Sequence, residues 1–173
     1  VAALQEGAGS IMSSFNEISG IPASANSFLL RQVLREELDW PGVVLSDFDA
    51  IGELIHHGLA TDLREAALKA ILAGEDIDMM GNAYPNHLVD LVHAGQVPEF
   101  LVDEAVKRIL RLKLLLGIFE RPYTDPALQS EVLLQPTHRE LALEVAQKSI
   151  VLLRNEAGLL PLSPAAVRIA LLG

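Results

Sequence analysis

The chain contains no cysteine in its 173 residues. Disulfides and thiolate metal sites are therefore excluded, but the redox compartment stays open because secreted and periplasmic proteins can also lack cysteine. Basic residues are also scarce, with 13 Lys and Arg against 23 Asp and Glu and a formal net charge of −10. Since nucleic acids and anionic membranes are bound by clusters of basic side chains, the composition predicts neither partner.

Long hydrophobic runs are missing as well. No apolar stretch approaches the ~20 residues that a membrane-spanning helix needs. The first residues, Val1 to Glu6, lack an initiator Met and the basic and apolar regions of a signal peptide. Half of the residues are nevertheless apolar, which favours a packed fold over disorder. We therefore expect an excerpt of a longer folded protein, whose localisation and oligomeric state the sequence leaves undetermined.

Three apolar runs are typical of buried parallel strands: Ser10 to Phe15, Gly42 to Ser46 and Asp76 to Met80. Their starts are separated by roughly 32 to 34 residues, about the length of one βα repeat. Three such units cannot close a barrel, which needs eight strands. The pattern therefore predicts part of a parallel α/β domain.

Helical periodicity fills the intervals between these runs. The first helix is predicted at Asn26 to Leu38, with Asn26 as its N-cap. A short helix at Ala50 to His57 precedes a longer one at Thr61 to Ala73, for which Thr61 is the predicted N-cap and Gly74 the stop. The residues predicted to face inward from the first helix are Phe28, Leu29, Val33 and Leu34.

The remaining half of the chain is predicted to be mostly helical. Helices are expected at Asn86 to His93 and Pro98 to Leu116, and the proline-containing stretch Phe119 to Pro136 is typical of an ordered linker. Thr137 and Glu140 form a capping-box pattern that predicts a helix through about Leu153. The last residues, Val167 to Gly173, favour one more buried strand.

The clearest candidate for chemistry is Asp47. It follows the apolar run Gly42 to Ser46, so it is predicted at the carboxyl end of a buried parallel strand. In parallel α/β folds that end carries the active site, and a carboxylate buried there needs partners or a function. The alternative for Asp47 is a structural role as the cap of the helix that follows.

Other residues that suggest chemistry are better explained structurally. Two adjacent histidines, His56 and His57, cannot easily serve one metal and fit a cationic helix C-terminus. Ser13-Ser14 lacks the nucleophile elbow of serine hydrolases. The acidic residues near Asp47 match no calcium loop and are expected to be helix caps and solvated loop charges; they are Asp49, Glu53, Asp76 and Asp78.

Six short motifs occur in order along nearly the whole chain. They are Ile11-Met12-Ser13-Ser14-Phe15-Asn16 with Gly20 and Pro22; Asn26 to Leu38; Gly42 to Ala50; Ala73-Gly74-Glu75-Asp76 with Met79; Arg108-Ile109-Leu110 with Lys113, Gly117 and Phe119; and Ser149 to Asn155 with Leu160-Pro161-Leu162. Each motif is weak alone, but the ordered set is specific. Together they resemble glycoside hydrolase family 3, in particular its two-domain members similar to β-glucosidases.

This resemblance implies a domain organisation. Residues 1–118 resemble the C-terminal part of a (β/α)8 TIM-type barrel that forms the catalytic domain. Residues 119–136 are then a linker, and residues 137–173 hold a bridging helix and the first strand of an α/β sandwich domain.

The resemblance also implies a reaction, the retaining hydrolysis of a terminal β-linked sugar without a cofactor or metal. Asp47 matches the family's nucleophile, which forms a covalent glycosyl-enzyme. Phe48 stands where the family often has Trp or His and is a candidate wall of the sugar subsite, with core packing as the alternative. Phe15 matches a position often held by Tyr and is a second substrate-binding candidate without the hydroxyl.

The family's second carboxyl group is expected beyond Gly173, and its Lys-His substrate-binding motif before Val1. Three glutamates, Glu17, Glu53 and Glu75, are candidates for the acid only by residue type. The excerpt alone is therefore expected to be inactive.

Three alternatives remain open from the sequence. A β-N-acetylhexosaminidase of the same family typically shows Ser-Asp-Asp, whereas this chain has Ser46-Asp47-Phe48. A non-catalytic carbohydrate-binding or scaffold relative would lack the Lys-His pair or the acid. Another barrel enzyme would carry unrelated chemistry.

Overall fold

The computed structural model describes residues 1–165, 168 and 170, which fall into two compact units, Val1–Tyr123 and Thr124–Gly173. The first unit opens with a single helical turn, α1 (Ala2–Gln5). The final strand predicted at Val167 to Gly173 lies outside the described residues, apart from Arg168 and Ala170.

The first unit is built around two parallel strands, β1 (Ser10–Met12) and, after a hairpin of β2 (Glu17–Ile18) and β3 (Ile21–Pro22), β4 (Val43–Leu45). Ser10 pairs with Val43 and Met12 with Leu45. Both strands are shorter than predicted.

The third predicted strand, Asp76 to Met80, is reduced to one parallel bridge between Ile77 and Leu45. The amide groups of Asp76 and Ile77 both donate to the Val44 carbonyl, at 3.0 and 3.1 Å. The predicted neighbour order is therefore present, but the prediction of a full strand is wrong. A regular ladder stops here because the Asp76 side chain, rather than a backbone carbonyl, accepts the Val44 N–H.

The β2–β3 hairpin was not predicted. Its two central residues, Ser19 and Gly20, have φ values of 55° and 77°, as a two-residue hairpin loop of type I′ requires. The signal in the sequence is Ser-Gly between Ile18 and Ile21, but strands of two residues are too short to show an alternating pattern.

The first predicted helix consists of a 3-10 turn at Ala23–Ala25 and a π-helix at Phe28–Glu37. The Asn26 side chain accepts a hydrogen bond from Leu29 N at 3.1 Å, although the helix itself begins at Phe28. Leu30 and Leu34 are its buried residues, whereas Phe28 is exposed, so the predicted inner face is wrong there. The wider i to i+5 turn does not keep the 3.6-residue period on which that face was predicted.

Two helices follow β4, α2 (Glu53–His56) and α3 (Leu63–Ala73). The N-cap of α3 is Asp62, which accepts from Glu65 N, and the prediction of Thr61 is wrong because the Glu65 carboxylate instead binds the Thr61 amide and hydroxyl. Gly74 ends α3 with φ 109°, a left-handed conformation that confirms the predicted stop.

The next helices are α4 (Ala83–His93) and α5 (Glu99–Leu115). Helix α4 begins three residues before the predicted Asn86, because Asp78 accepts from Tyr84 N and Pro85 fits the first turn. The main core lies where α2, α3 and α4 meet; its largest buried side chains are Ile51, Leu54, Ile71, Tyr84, Leu91 and Val97.

The second unit contains α6 (Leu128–Val132) and α7 (Pro136–Ser149), followed by a 3-10 turn at Glu156–Gly158. Helix α6 lies inside the stretch predicted as a linker. The N-cap of α7 is Gln135 rather than Thr137, because Pro136 at the first helical position starts the helix earlier. The helix ends at Ser149, because the backbone is already extended at Ile150. The predicted end was Leu153.

Candidate active site

The carboxyl ends of the parallel segments lie at one edge of the small sheet. Ser13 follows β1 there and donates its backbone N–H to the Leu45 carbonyl at 2.8 Å. Asp47 follows β4 at the same edge, and Met79 follows the Ile77 bridge. The predicted position of Asp47 at a carboxyl strand end is therefore observed.

The Asp47 side chain is half-buried. Its Oδ1 accepts a hydrogen bond from the Phe48 backbone N–H at 2.6 Å, which fixes one carboxylate oxygen. The helix that follows, α2, has Gly52 as its N-cap and receives no side-chain cap. Asp47 is therefore not the cap of that helix, which was the structural alternative for this residue.

A tight turn carries Asp47 between β4 and α2. The Ala50 amide donates to the Asp47 carbonyl at 3.1 Å, and Asp49 adopts a left-handed φ of 54°. Gly52 allows this turn to close, because a Cβ there would lie 2.3 Å from Asp49 Oδ1. The Asp49 amide donates to the Met79 carbonyl at 2.8 Å, so the turn is held against the third segment.

Phe48 and Phe15, the two predicted substrate-binding residues, are both exposed. The exposed fraction is 61% for Phe48 and 41% for Phe15. Neither ring is part of a core among the described residues, so both are available to pack against a ligand. Met12, at the end of β1, and Met80, beyond the Ile77 bridge, are also exposed apolar residues.

The three glutamates named as acids only by residue type have different surroundings. Glu17 Oε1 lies 2.7 Å from His57 Nδ1, so this hydrogen bond joins the β2–β3 hairpin to the end of α2. Glu53 opens α2. Glu75 is completely buried, and neither of its carboxylate oxygens has a hydrogen-bond partner among the described residues.

Burial raises the pKa of Glu75 to about 8, and the nearby carboxylates of Asp76 and Asp78 add to this, whereas the Ser13 hydroxyl opposes it. The Tyr84 hydroxyl donates to the backbone carbonyl of Glu75 rather than to its side chain. The Glu75 carboxyl group therefore has no access to solvent at the exposed edge in this structure.

Asp76 is a buried ion-pair centre, so its prediction as a helix cap or solvated loop charge is wrong. Its carboxylate accepts from Arg35 Nη2 at 3.0 Å, from Arg108 Nη2 at 2.8 Å and from Val44 N at 2.9 Å. Asp78, in contrast, accepts from the Tyr84 amide in the first turn of α4, whose N-cap residue is Asn82. Arg35 also lies 5.2 Å from the centre of the Trp40 ring.

Within residues 1–165, 168 and 170, no three side chains of the metal-binding types are grouped to hold an ion. In the same set, none of the helices has the length and apolar character needed to cross a membrane.

Two features of this site were missed by the sequence analysis. The Ser46 hydroxyl bonds both the Asp47 carbonyl and the Met79 amide, and Asp76 pairs with two arginines. Met79, Arg35 and Arg108 lie 32 to 41 residues away from these partners along the chain, so no local pattern could have indicated the contacts.

Comparisons with known proteins place these features in context. A family model described as the glycosyl hydrolase family 3 N terminal domain matches residues 1–112. The periplasmic beta-glucosidase of Salmonella typhimurium is 38% identical over an alignment of 169 residues that covers 93% of this chain and 22% of that protein. A beta-xylosidase of Formosa agariphila is 33% identical over a gapped alignment of 176 positions that covers 96% of this chain and 24% of that protein.

The solved structures include a similar protein, the beta-glucosidase of Listeria innocua in complex with glucose. It superposes with a TM-score of 0.79 at 43% identity, over 94% of this chain and 22% of that one. The chain thus spans between 22% and 24% of the length of these relatives.

Proposed function

The chain belongs to glycosyl hydrolase family 3, and from this premise we propose that it supplies the nucleophile of a retaining β-glucosidase, Asp47. The observation that carries the proposal is the position of this carboxylate, half-buried at the carboxyl end of β4 and fixed through one oxygen by Phe48 N–H. The relatives named above as a beta-glucosidase and a beta-xylosidase support a substrate with a terminal β-linked sugar.

The reaction would proceed in two displacements. With Oδ1 held by Phe48 N–H, Oδ2 attacks the anomeric carbon and forms an ester to it. The bond to the leaving oxygen breaks as a general acid protonates that oxygen. Water, activated by the same group acting as a base, then hydrolyses the ester and restores Asp47. Retaining enzymes place the two carboxyl groups about 5–5.5 Å apart, and we assign the second group to the part of the protein beyond Gly173.

Phe48 and Phe15 are the proposed apolar contacts of the sugar. An exposed ring beside the nucleophile can pack against the C–H face of a sugar and exclude water from the covalent intermediate. Their exposure at the same strand edge as Asp47 supports this role.

Membership of the family also supports an assignment of the fold. We assign β1, β4 and the Ile77 segment to the last strands of a (β/α)8 barrel. Their parallel order and their spacing along the chain support this assignment. We assign α7 to the bridge toward an α/β sandwich domain.

Asp47→Ala in the full-length protein tests the function. We expect 4-nitrophenyl β-glucoside turnover to fall by several orders of magnitude with folding preserved, because a covalent catalyst is lost. Asp90→Ala is the matched control, since Asp90 is an exposed aspartate on α4. Turnover of the Asp47 variant near the wild-type rate would rule the assignment out.

Parallel assays with a β-xyloside and an N-acetyl-β-glucosaminide test the sugar. We expect the glucoside to give the highest kcat/KM. Preference for the xyloside would move the proposal to a β-xylosidase, the activity named for the Formosa relative.

A further inference from the structure

We propose that Ser46 is a positioning residue that holds Asp47 in its reactive orientation, an inference that rests on the proposed function. Ser46 is completely buried although its side chain is polar. Its Oγ donates to the Asp47 carbonyl at 2.9 Å and accepts from the Met79 backbone N–H at 2.8 Å. The hydroxyl thus bridges the candidate nucleophile's own backbone and the neighbouring parallel segment.

The position of Ser46 explains why a hydroxyl is needed there. The backbone pairing between β4 and the third segment ends as Ser46 N donates to the Ile77 carbonyl at 2.9 Å. The Met79 N–H, two residues after Ile77, donates to the Ser46 hydroxyl instead of to a strand carbonyl. A hydroxyl donates and accepts at once, whereas alanine would leave both the Met79 amide and the Asp47 carbonyl without this partner.

The turn that presents Asp47 is therefore held from both ends. Ser46 Oγ binds the third segment before the turn, and the Asp49 amide binds the Met79 carbonyl after it. The Phe48 N–H that fixes Asp47 Oδ1 lies between these two attachments. Loss of the Ser46 hydroxyl would release the first attachment and with it the alignment of the carboxylate with the anomeric carbon.

Ser13 provides a matched control on the adjacent strand. It is also a buried serine that directly follows its strand, and its hydroxyl also makes a hydrogen bond, to Ser24 Oγ at 2.9 Å. That bond does not involve the Asp47 turn. Ser13→Ala therefore removes a buried hydroxyl of the same kind without touching the proposed alignment.

The experiment compares Ser46→Ala, Ser13→Ala and Asp47→Ala in the full-length protein. The measured quantities are kcat and KM for 4-nitrophenyl β-glucoside, the melting temperature, and the rate constant for covalent inactivation by a 2-deoxy-2-fluoro-glucoside with a good leaving group. A misplacement of about 1 Å at a reacting group can cost about 100-fold in rate. We therefore expect Ser46→Ala to lower kcat and the inactivation rate constant by about 10- to 100-fold, with KM changed less than about threefold because ground-state binding is retained.

Ser13→Ala is expected to lower the melting temperature as much as Ser46→Ala does while keeping kcat within about threefold of the wild type. Two results would overturn the inference: an unchanged inactivation rate constant in Ser46→Ala, or equal losses of kcat in the two serine variants. If Ser46→Ala does not fold, Ser46→Cys replaces it, because a thiol keeps the volume but donates and accepts only weakly. Wild-type kcat in that variant would overturn the inference too.

The Asp47→Ala arm separates the two proposals. If Asp47→Ala retains turnover, the proposed nucleophile is wrong, whatever Ser46 does. If Asp47→Ala abolishes turnover and Ser46→Ala does not slow inactivation, only the positioning role of Ser46 fails.

Discussion

Among single residues, Phe48 shows how exposure separates a binding role from a packing role. A ring that is 61% exposed contributes little to a core, so its replacement should act on ligand binding. We expect Phe48→Ala to raise KM by the equivalent of about 1–3 kcal/mol, with little change in melting temperature. Steady-state kinetics with the aryl glucoside measures this effect.

Phe100→Ala is the control for Phe48, since Phe100 on α5 is also 61% exposed but belongs to another part of the first unit. Its KM should equal that of the wild type. If Phe48→Ala instead lowers the melting temperature and leaves KM unchanged, Phe48 is a packing residue in the full-length protein.

Glu75 is a second residue whose surroundings have a measurable consequence. Its pKa is raised by burial from 4.5 to about 8, so the folded state keeps a proton that the unfolded state has already released in this interval. The contribution of Glu75 to stability therefore decreases as the pH rises from about 4.5 to about 8 and is constant above that. The groups that act on it are Ser13 beyond β1, Tyr84 on α4, and Asp76 and Asp78 in its own segment.

We expect Glu75→Gln to remove this loss of stability. The variant and the wild type should melt alike at pH 5. At pH 8.5 the variant should be more stable, with an upper bound of about 5 kcal/mol set by the size of the pKa shift. Melting temperatures measured from pH 5 to 9 provide the test, with the exposed Glu37→Gln as the control. If melting temperature plotted against pH gave parallel curves for Glu75→Gln and the wild type, the expected role of Glu75 would be contradicted.

Among the secondary-structure elements, three are connected by the Asp76 carboxylate, through residues that lie 32 to 41 positions from it. Arg35 comes from the π-helix, Arg108 from α5, and Val44 N from β4, and all donate to one carboxylate whose side chain is 1% exposed. Removing one member of a buried ion pair leaves the other charges unpaired and poorly solvated. The free energy of unfolding should therefore decrease markedly when Asp76 is replaced.

We expect Asp76→Asn to destabilise the protein by about 3–5 kcal/mol, because two desolvated arginines lose their shared counter-charge. The control is Glu144→Gln, which removes the exposed pair with Lys148 and should destabilise the protein far less. Urea unfolding midpoints of the two variants give the comparison. Equal shifts would show that the Asp76 pairs contribute no more than a surface pair.

The accuracy of prediction from sequence differed between these elements for physical reasons. The order of the parallel segments and the C-terminal end of α3 follow from local apolar periodicity and from Gly74, and both were predicted, whereas the N-cap of α3 was not. The π-helix kept its predicted position but not its predicted face, because its hydrogen bonding departs from the α-helical period.

For the candidate site, the sequence indicated where Asp47 lies but not what holds it. The position of Asp47 after an apolar run is a local property. The Ser46–Met79 and Asp76–Arg108 contacts join residues 33 and 32 positions apart, and they form only when the segments pair. The exposure of Phe28 and the burial of Asp76 depend on tertiary packing in the same way.

For the chain as a whole, the exposed apolar surface predicts behaviour in isolation. Helix α5 buries only Ala105, and it ends in an apolar run in which Leu115 is 74% exposed and Leu116 follows at 64%. Surfaces of this kind are normally covered by further parts of a protein. We expect residues 1–173, expressed alone, to associate or aggregate, and to show no aryl-glucoside turnover because the proposed acid is not included.

Sedimentation velocity and a turnover assay on that polypeptide provide the check. A monodisperse monomer with cooperative unfolding would contradict the expected need for further structure. Turnover that disappears in Asp47→Ala would show that this chain contains its own acid, which would then be sought at Glu17 and Glu53.

The most direct test of the central claim is covalent labelling of the full-length protein with a 2-deoxy-2-fluoro-β-glucoside, followed by peptide mapping. The fluorine slows hydrolysis of the glycosyl-enzyme, so the ester accumulates on the attacking carboxylate. We predict that one fluoroglucosyl group is attached, to Asp47, and that Asp47→Ala removes the labelling. A label on any other carboxylate, or an equal label on the Asp47→Ala protein, would contradict the assignment of Asp47 as the nucleophile.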